Sequence, residues 1–402
     1  MKKTSIVTQA CIVGGGPAGM MAGLLLARAG VEVVVLEKHK DFFRDFRGDT
    51  VHPATLELLH ELGMLQEFLK RPHQELRKLD VQFGTEVTTI CDFSHLPTHC
   101  RFMAIMPQWD FLDLIAQEAK KYGRFQLIME ANVTQLIIEN KKVLGVKAII
   151  PSGLLDVRAE LTLGTDGRHS IVRSCAKLPI YDIGAPIDVL WMQISRRSSD
   201  REQPLARFNY GSGLATITRG TYYQCGLLIK KGGLAEIKKK GLPALRRKIV
   251  QIAPSFRDRI GELKSWDDIK HLSVEINRLR QWWRPGLLCI GDAAHAMGPQ
   301  GGIGINLAIQ DAVAVANMLA KPLRSGLVTT KHLRSVQKRR EFPTRFYQGL
   351  QRILQKRVFD KAFENSGKPS PPWSFRLFQT FPILQRIPAR IIWMGARPEH
   401  IH

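Results

Sequence analysis

The spacing of apolar positions changes twice between Ala10 and Glu37. An uninterrupted apolar run, Ala10–Val13, reads as a buried strand and is followed at once by glycines. Pro17–Arg28 is compatible with a helix and stops at Ala29-Gly30, where a glycine suits a helix C-terminus. Val31–Leu36 is β-rich again and closes on Glu37. Further along, Pro53 can start a helix, and Leu56, Leu59, Leu62 and Leu65 recur at helical spacing as core positions. Residues 71–105 alternate like strands between Pro72 and Pro97; Phe111, Leu112, Leu114 and Ile115 then restore the helical period. From Phe125 to Gly167 short strands joined by turns predict a β-meander ending in a strand, a tight turn and a short helix. Residues 180–276 are strand-rich with one helical insert, Leu234–Ala253. Leu287–Ile290 is a buried strand, and a Gly/Pro loop, Gly298–Gly302, leads into a long helix ending near Ala320.

The glycines of the first unit, Gly14, Gly16 and Gly19, stand in G-x-G-x-x-G spacing. The first permits the turn out of the strand, the second lets a pyrophosphate approach the backbone, and the third lets helix and strand pack closely. The helix N-terminus directs N–H groups and partial positive charge at phosphates. Glu37 stands where an acid accepts hydrogen bonds from a ribose and repels a 2′-phosphate. Strand, glycines, helix, strand and acid in that order predict dinucleotide binding; the unit alone does not distinguish NAD from FAD.

Composition narrows the class. A chain of 402 residues exceeds one ordinary core, and 44% apolar with 24% charged residues describes a globular protein. The six cysteines show no C-x-x-C spacing, which predicts idle thiols in a reducing compartment and argues against a disulfide reductase. No apolar stretch reaches 18 residues, and the N-terminus carries no signal-peptide core. The net charge is +23, and Lys321–His402 alone holds 17 Lys and Arg against 4 Asp and Glu, a net +13. No zinc-finger, RNP or other nucleic-acid module accompanies it, so nucleic acid is not an expected partner. A solvated basic face, an acidic substrate or an anionic membrane are the remaining readings.

Three motifs in order, GGGPAG with Glu37, LGTDGRHSIVR, and GLLCIGDAAHAMGPQGGIGINLAIQDA, resemble those of the FAD-dependent aromatic hydroxylases. These are single-component flavoprotein monooxygenases of the p-hydroxybenzoate and ubiquinone-biosynthesis hydroxylase type. The resemblance covers the chain to about Ala320 and implies an α/β fold: a Rossmann-like FAD-binding (GR2-type) domain, an inserted β-sheet substrate domain and a C-terminal helical segment. The corresponding boundaries are 1–70, 106–179 and 277–321 for FAD, 71–105 and 180–276 for substrate, and 322–402 for the basic tail. It also implies roles. Gly14, Gly16 and Gly19, with Pro17 and Ala18, would hold the FAD pyrophosphate, and Glu37, with Lys38 beside it, the adenosine ribose. Arg47 would face the flavin, Gln108 would reach ribityl or phosphate oxygens, and the Val133 amide would meet adenine. Asp166 belongs to a motif associated with both FAD and NAD(P)H, and Asp292 would bind a ribityl hydroxyl. Pro299 and the Gly301-Gly302-Ile303 backbone would lie against the isoalloxazine. The implied chemistry is reduction of non-covalent FAD by NAD(P)H, addition of O₂ at C4a, and oxygen transfer from that hydroperoxide to an aromatic or polycyclic substrate.

No general base declares itself by spacing, no metal-ligand cluster is visible, and the scattered histidines, His52, His95, His99 and His169 among them, read as ordinary polar residues. Two other classes share the nucleotide motifs: a flavin-dependent reductase or cyclase of isoprenoids, and a flavoprotein that binds a partner or membrane without turnover. The tail carries an apolar side from Trp373 to Met394, broken by Pro382 and Pro388. Packing against the protein is its default use, with a homodimer contact or docking on the inner face of a membrane as the others. The expected location is cytoplasmic.

Overall fold

The computed structural model describes residues 2–43, 50–200, 205–209, 211–355 and 373–402. Its first sheet runs Trp283–Arg284, Leu287–Cys289, Gly153–Gly164, Lys2–Val13, Val33–Leu36, Phe125–Ile128. The five strands from Leu287–Cys289 onward pair in parallel; Trp283–Arg284 closes the edge antiparallel. Strand Lys2–Val13 starts earlier than its apolar run, because Lys2–Thr8 pairs with Gly153–Ala159 at the flank of the sheet. There the second face is open, so exposed Val7 and polar neighbours are tolerated and no hydrophobic signal marks the strand.

Register, not proximity in sequence, assembles the site. Val13 lies beside both Leu36 and Gly164, and Gly164 lies beside Cys289. The residues that follow, Gly14, Glu37, Thr165-Asp166 and Gly291-Asp292, therefore leave the sheet together at its carboxyl edge, where open α/β sheets bind ligands. Helix Pro17–Arg28 matches its sequence expectation at both ends and packs against Ile303–Arg324 and Gln108–Ala119. Of the predicted meander, Asn132–Glu139, Lys142–Ile150 and Gly153–Gly164 are antiparallel neighbours, whereas Phe125–Ile128 joins the first sheet in parallel beside Val33–Leu36.

A second sheet has seven strands: Lys270–Leu272, Ile187–Ser195, Tyr222–Lys230, Ser212–Arg219, Ala206–Asn209, Lys78–Phe83 and Glu86–Asp92. One face packs on helix Leu242–Ile252 through Met192, Tyr223, Cys225, Ile249 and Phe256. The expected single helical insert is two helices, Leu234–Lys240 and Leu242–Ile252, because Gly241 at φ 83° turns the chain and Pro243 starts afresh. Within 71–105, only Lys78–Asp92 joins this sheet; Met103–Ile105 instead forms the centre of a small separate sheet, with Thr50–Val51 on one side and Gln74–Leu76 on the other.

The tail is integrated into both parts. Helix Thr330–Leu354 lies along Ile303–Arg324. Ala389 and Trp393 are buried with Phe83, Phe93 and Phe208 against the second sheet. Helix Ile303–Arg324 is long and apolar enough to cross a membrane, but 78% of its apolar window is buried inside the protein. Asn306 and Asp311 on it are taken up by internal hydrogen bonds.

Candidate functional site

One cavity of about 2240 Å³ lies between the carboxyl edge of the first sheet and the open face of the second. Pockets for one drug-sized ligand span roughly 300–1,000 Å³, so this one has room for a cofactor and a substrate together. Its first half is lined by Gly14, Gly16, Pro17, Ala18, Glu37 and Lys38. Gln108, Val133, Asp166, Asp292, Pro299, Gly301, Gly302 and Ile303 complete that wall. Sequence reasoning had named each of these residues. Gly19 does not line it; a Cβ there would stand 2.0 Å from the Gly14 carbonyl oxygen, so its role is close packing. Arg47 lies outside the described residues.

Two helix N-termini open onto this half. Helix Pro17–Arg28 has Gly16 at its start, no side-chain cap and no acid in its first turn. Gly14, at φ 107°, turns against the Thr165 carbonyl, and a Cβ added at Gly16 would meet nothing within 4 Å. The backbone there faces open space, as a bound pyrophosphate requires. The second, Ile303–Arg324, starts behind Gly301 and Gly302 at φ 75° and 61°, again without a side-chain cap or first-turn acid. Asn306 ties that turn down: its side-chain amide donates to the carbonyls of Thr50 (3.0 Å) and Gly302 (2.9 Å). Its oxygen accepts from the His52 amide (2.9 Å) and the Thr55 hydroxyl (2.8 Å).

The carboxylates differ in what they are free to do. Glu37 accepts from the Gly15 amide at 2.8 Å and from His39, so it braces the glycine loop as well as facing the cavity. Asp166 is turned into its own bend, accepting from the Ser170 hydroxyl (2.5 Å) and the Val172 amide (3.1 Å). Burial pushes its carboxyl up, against those hydrogen bonds. Its side chain thus shapes the turn at the cavity wall. Asp292 is one-third exposed at the end of strand Leu287–Cys289, with Arg168 at 3.6 Å.

The sequence reading missed several residues that hold the loop Gly291–Gly302. His52 is 2% exposed and its ring contacts the Gly301 carbonyl at 3.0 Å; burial pushes its imidazole down to about 3 despite that hydrogen bond. Arg173 reaches the Ala293 and Arg168 carbonyls (3.2 and 2.5 Å), joining the second motif to the third. Fully buried Asp311 accepts from the Gly291 amide, His295 (2.6 Å) and Arg340 (2.9 Å). Burial opposes its charge, but His295 and Arg340 outweigh it and hold the carboxyl below the usual range. Gln348 donates to the Ala296 carbonyl (3.2 Å), and the Gln351 amide both accepts from the Gly298 amide and donates to its carbonyl, each at 3.0 Å. Both polar atoms of the Gln300 side chain, which borders the cavity, are buried without a protein partner. A conspicuous signal was present: three glutamines, Gln337, Gln348 and Gln351, on a helix otherwise full of basic residues.

The second half of the cavity is apolar, walled by Val81, Phe83, Val189, Trp191, Phe208 and Leu228, and by Phe375, Ile392 and Trp393 of the tail. Among the described lining residues the carboxylates, Glu37, Asp166 and Asp292, all sit on the nucleotide half.

A family profile described as an FAD binding domain matches residues 7–349. The 6-methylpretetramide 4-monooxygenase of Streptomyces rimosus is 31% identical over 335 residues, covering 83% of this chain and 80% of that one. The para-nitrophenol 4-monooxygenase of a Pseudomonas species (strain WBC-3) is 24% identical over 341 residues, covering 79% of each. Among solved structures, pqsL, a probable FAD-dependent monooxygenase from Pseudomonas aeruginosa, superposes with a TM-score of 0.74 at 21% identity, over 90% of this chain and 99% of that one.

Proposed function

The chain belongs to the FAD binding domain family and is an FAD-dependent monooxygenase, and we propose that its substrate is a polycyclic aromatic with at least one phenolic or enolic oxygen. The single observation that carries the substrate class is the continuity of the cavity: an apolar half, large and free of carboxylates among the described lining residues, opens directly onto the Gly298–Ile303 wall. A flat polycyclic ring system fills such a space, and burying it supplies roughly 25 cal/mol per Å² of apolar surface. The first-named relative acts on a 6-methylpretetramide, which fits the same reading.

FAD fits the nucleotide half: Gly16 offers room for close backbone approach, and two uncapped helix N-termini suit its anionic groups. In our reading Gly14, Gly16 and the start of helix Pro17–Arg28 hold the pyrophosphate, Glu37 the adenosine ribose and Asp292 the ribityl chain. Val133 lies beside the adenine, and Pro299 with Gly301-Gly302-Ile303 lines the ring system. When bound, the flavin supplies two-electron reduction by NAD(P)H and activation of O₂ for transfer of one oxygen atom to the substrate. The protein's part is orientation and exclusion of water. The uncapped N-terminus of Ile303–Arg324 stabilises negative charge on whatever ring edge faces it. The apolar half keeps water from the reacting atoms.

The six free cysteines, five of them buried, support a cytoplasmic location. The test of function is ¹⁸O₂ incorporation with NAD(P)H and a panel of polycyclic phenols. Label in the product together with substrate-accelerated NAD(P)H oxidation supports hydroxylation. Conversion without label overturns it in favour of the reductase or cyclase alternative.

A further inference from the structure

Helix Thr330–Leu354 has two chemically opposed sides. Its inner side, with Leu333, Val336, Arg340, Tyr347, Gln348 and Gln351, is buried against the core. Its outer side is divided lengthwise. At 100° per residue, Arg334, Lys338, Arg345 and Arg352 fall along one line, four to seven residues apart and all exposed. Phe342, Phe346 and Ile353 fall along an adjacent line and are 57%, 36% and 53% exposed. The phenyl rings of Phe342 and Phe346 stand 6.3 Å apart, so they form one patch.

The same character continues beyond residue 376. Phe381, Ile383 and Ile387 are more than half exposed, and Arg376, Arg386 and Arg390 in the same stretch are exposed as well. The two acids described in the tail are already matched: Glu341 pairs with Arg345 at 2.9 Å, and buried Glu399 with Arg339 and Arg340. Arg334, Lys338 and Arg352 have no ion pair among the described residues. Ile353, exposed on the same line as Phe342 and Phe346, also lines the cavity.

We propose that this outer face is a docking surface for an anionic lipid bilayer, placed so that a lipophilic substrate passes from the bilayer past Ile353 into the apolar half of the cavity. Charge complementarity selects the occupant. Parallel basic and aromatic stripes suit the headgroup region, where cations meet lipid phosphates and aromatic rings reach the acyl boundary. The delivery step rests on the substrate reading above; docking does not, and it is measured without turnover.

The full-length holoenzyme is sedimented with phosphatidylcholine vesicles, with and without phosphatidylglycerol. Binding is expected only with the anionic lipid and should weaken as salt rises, because exposed charges are screened over about 8 Å at physiological ionic strength. Arg334→Glu with Lys338→Glu should weaken binding at least about thirtyfold, and Phe342→Ser with Phe346→Ser should also release the protein, both variants keeping wild-type flavin content and melting temperature. Protein remaining in the supernatant at low salt overturns the proposal, as does wild-type binding by either variant. A concentration-dependent dimer abolished by Phe342→Ser with Phe346→Ser, without vesicle binding, assigns the face to a second copy instead.

Discussion

The two helix N-termini that open onto the cofactor half of the cavity are held by opposite means. At Pro17 the support is chiefly close-packed backbone: Gly14 turns against the Thr165 carbonyl, Gly19 lets the helix settle on that turn, and one carboxylate, Glu37, braces Gly15 from the next strand. At Ile303 the glycine turn is held by side chains, Asn306 from the helix itself and the others from distant parts of the chain. His52 and Asn306 grip it from one side, and Gln348, Gln351 and the Asp311–Arg340 pair hold the preceding loop from the other. A phosphate site needs an unobstructed backbone, so small residues suffice. In the proposed reading the Gly301–Ile303 wall lines the flavin ring and must be held at a set distance, and glycines at positive φ cannot do this unaided.

The largest expected effect tests the remote support. Arg340→Met leaves Asp311 and Glu399 buried with one guanidinium fewer, and breaking a buried pair this way costs about 3–5 kcal/mol. Denaturant unfolding should show that loss; an unchanged midpoint would mean that the network is decoration.

Acid is a second way to load the same wall. The imidazole of His52 is held near 3 when folded and titrates near 6.5 when unfolded, so the unfolded chain takes up the proton first as pH falls. The stability it contributes is complete above 6.5 and is lost progressively below, at up to about 1.4 kcal/mol per pH unit. Melting temperatures between pH 7 and 4.5 should therefore fall more steeply for wild type than for His52→Gln.

Gln351→Leu isolates the loop at Gly298. It strips both partners from the Gly298 peptide, at about 1–3 kcal/mol for each buried group left unsatisfied. The expected signature is a shifted flavin absorption spectrum and more H₂O₂ released per NAD(P)H, with Gln351→Glu intermediate. A spectrum identical to wild type would show that the loop holds its position without the clamp.

The smallest effect on the fold belongs to the local support. Gly16→Ala places a methyl group in open space at φ −75°, so apo stability should change by less than about 0.5 kcal/mol. FAD affinity should nonetheless fall about tenfold or more, or 1.4 kcal/mol, because the methyl occupies the approach to the backbone. Equal affinity by fluorescence titration would move the pyrophosphate elsewhere.

The amino-acid sequence by itself determined the parts of this protein whose conformation is a local matter. Helix Pro17–Arg28, the glycine loops and strand Leu287–Cys289 were legible because turn geometry and apolar period are written in adjacent residues, while cavity-lining positions such as Gln108, Val133 and Asp292 were named only through the resemblance of three motifs to a family. Tertiary structure decided what depends on partners. Strand Lys2–Val13 gained its first half from pairing with Gly153–Ala159, and Asp166 turned inward to Ser170. The basic helix Thr330–Leu354 looked like solvated surface, yet it buries Arg340, Gln348 and Gln351 under the third motif. A polar side chain carries no mark in sequence of whether water or a distant backbone will satisfy it. Only the fold, by removing the water, makes that choice.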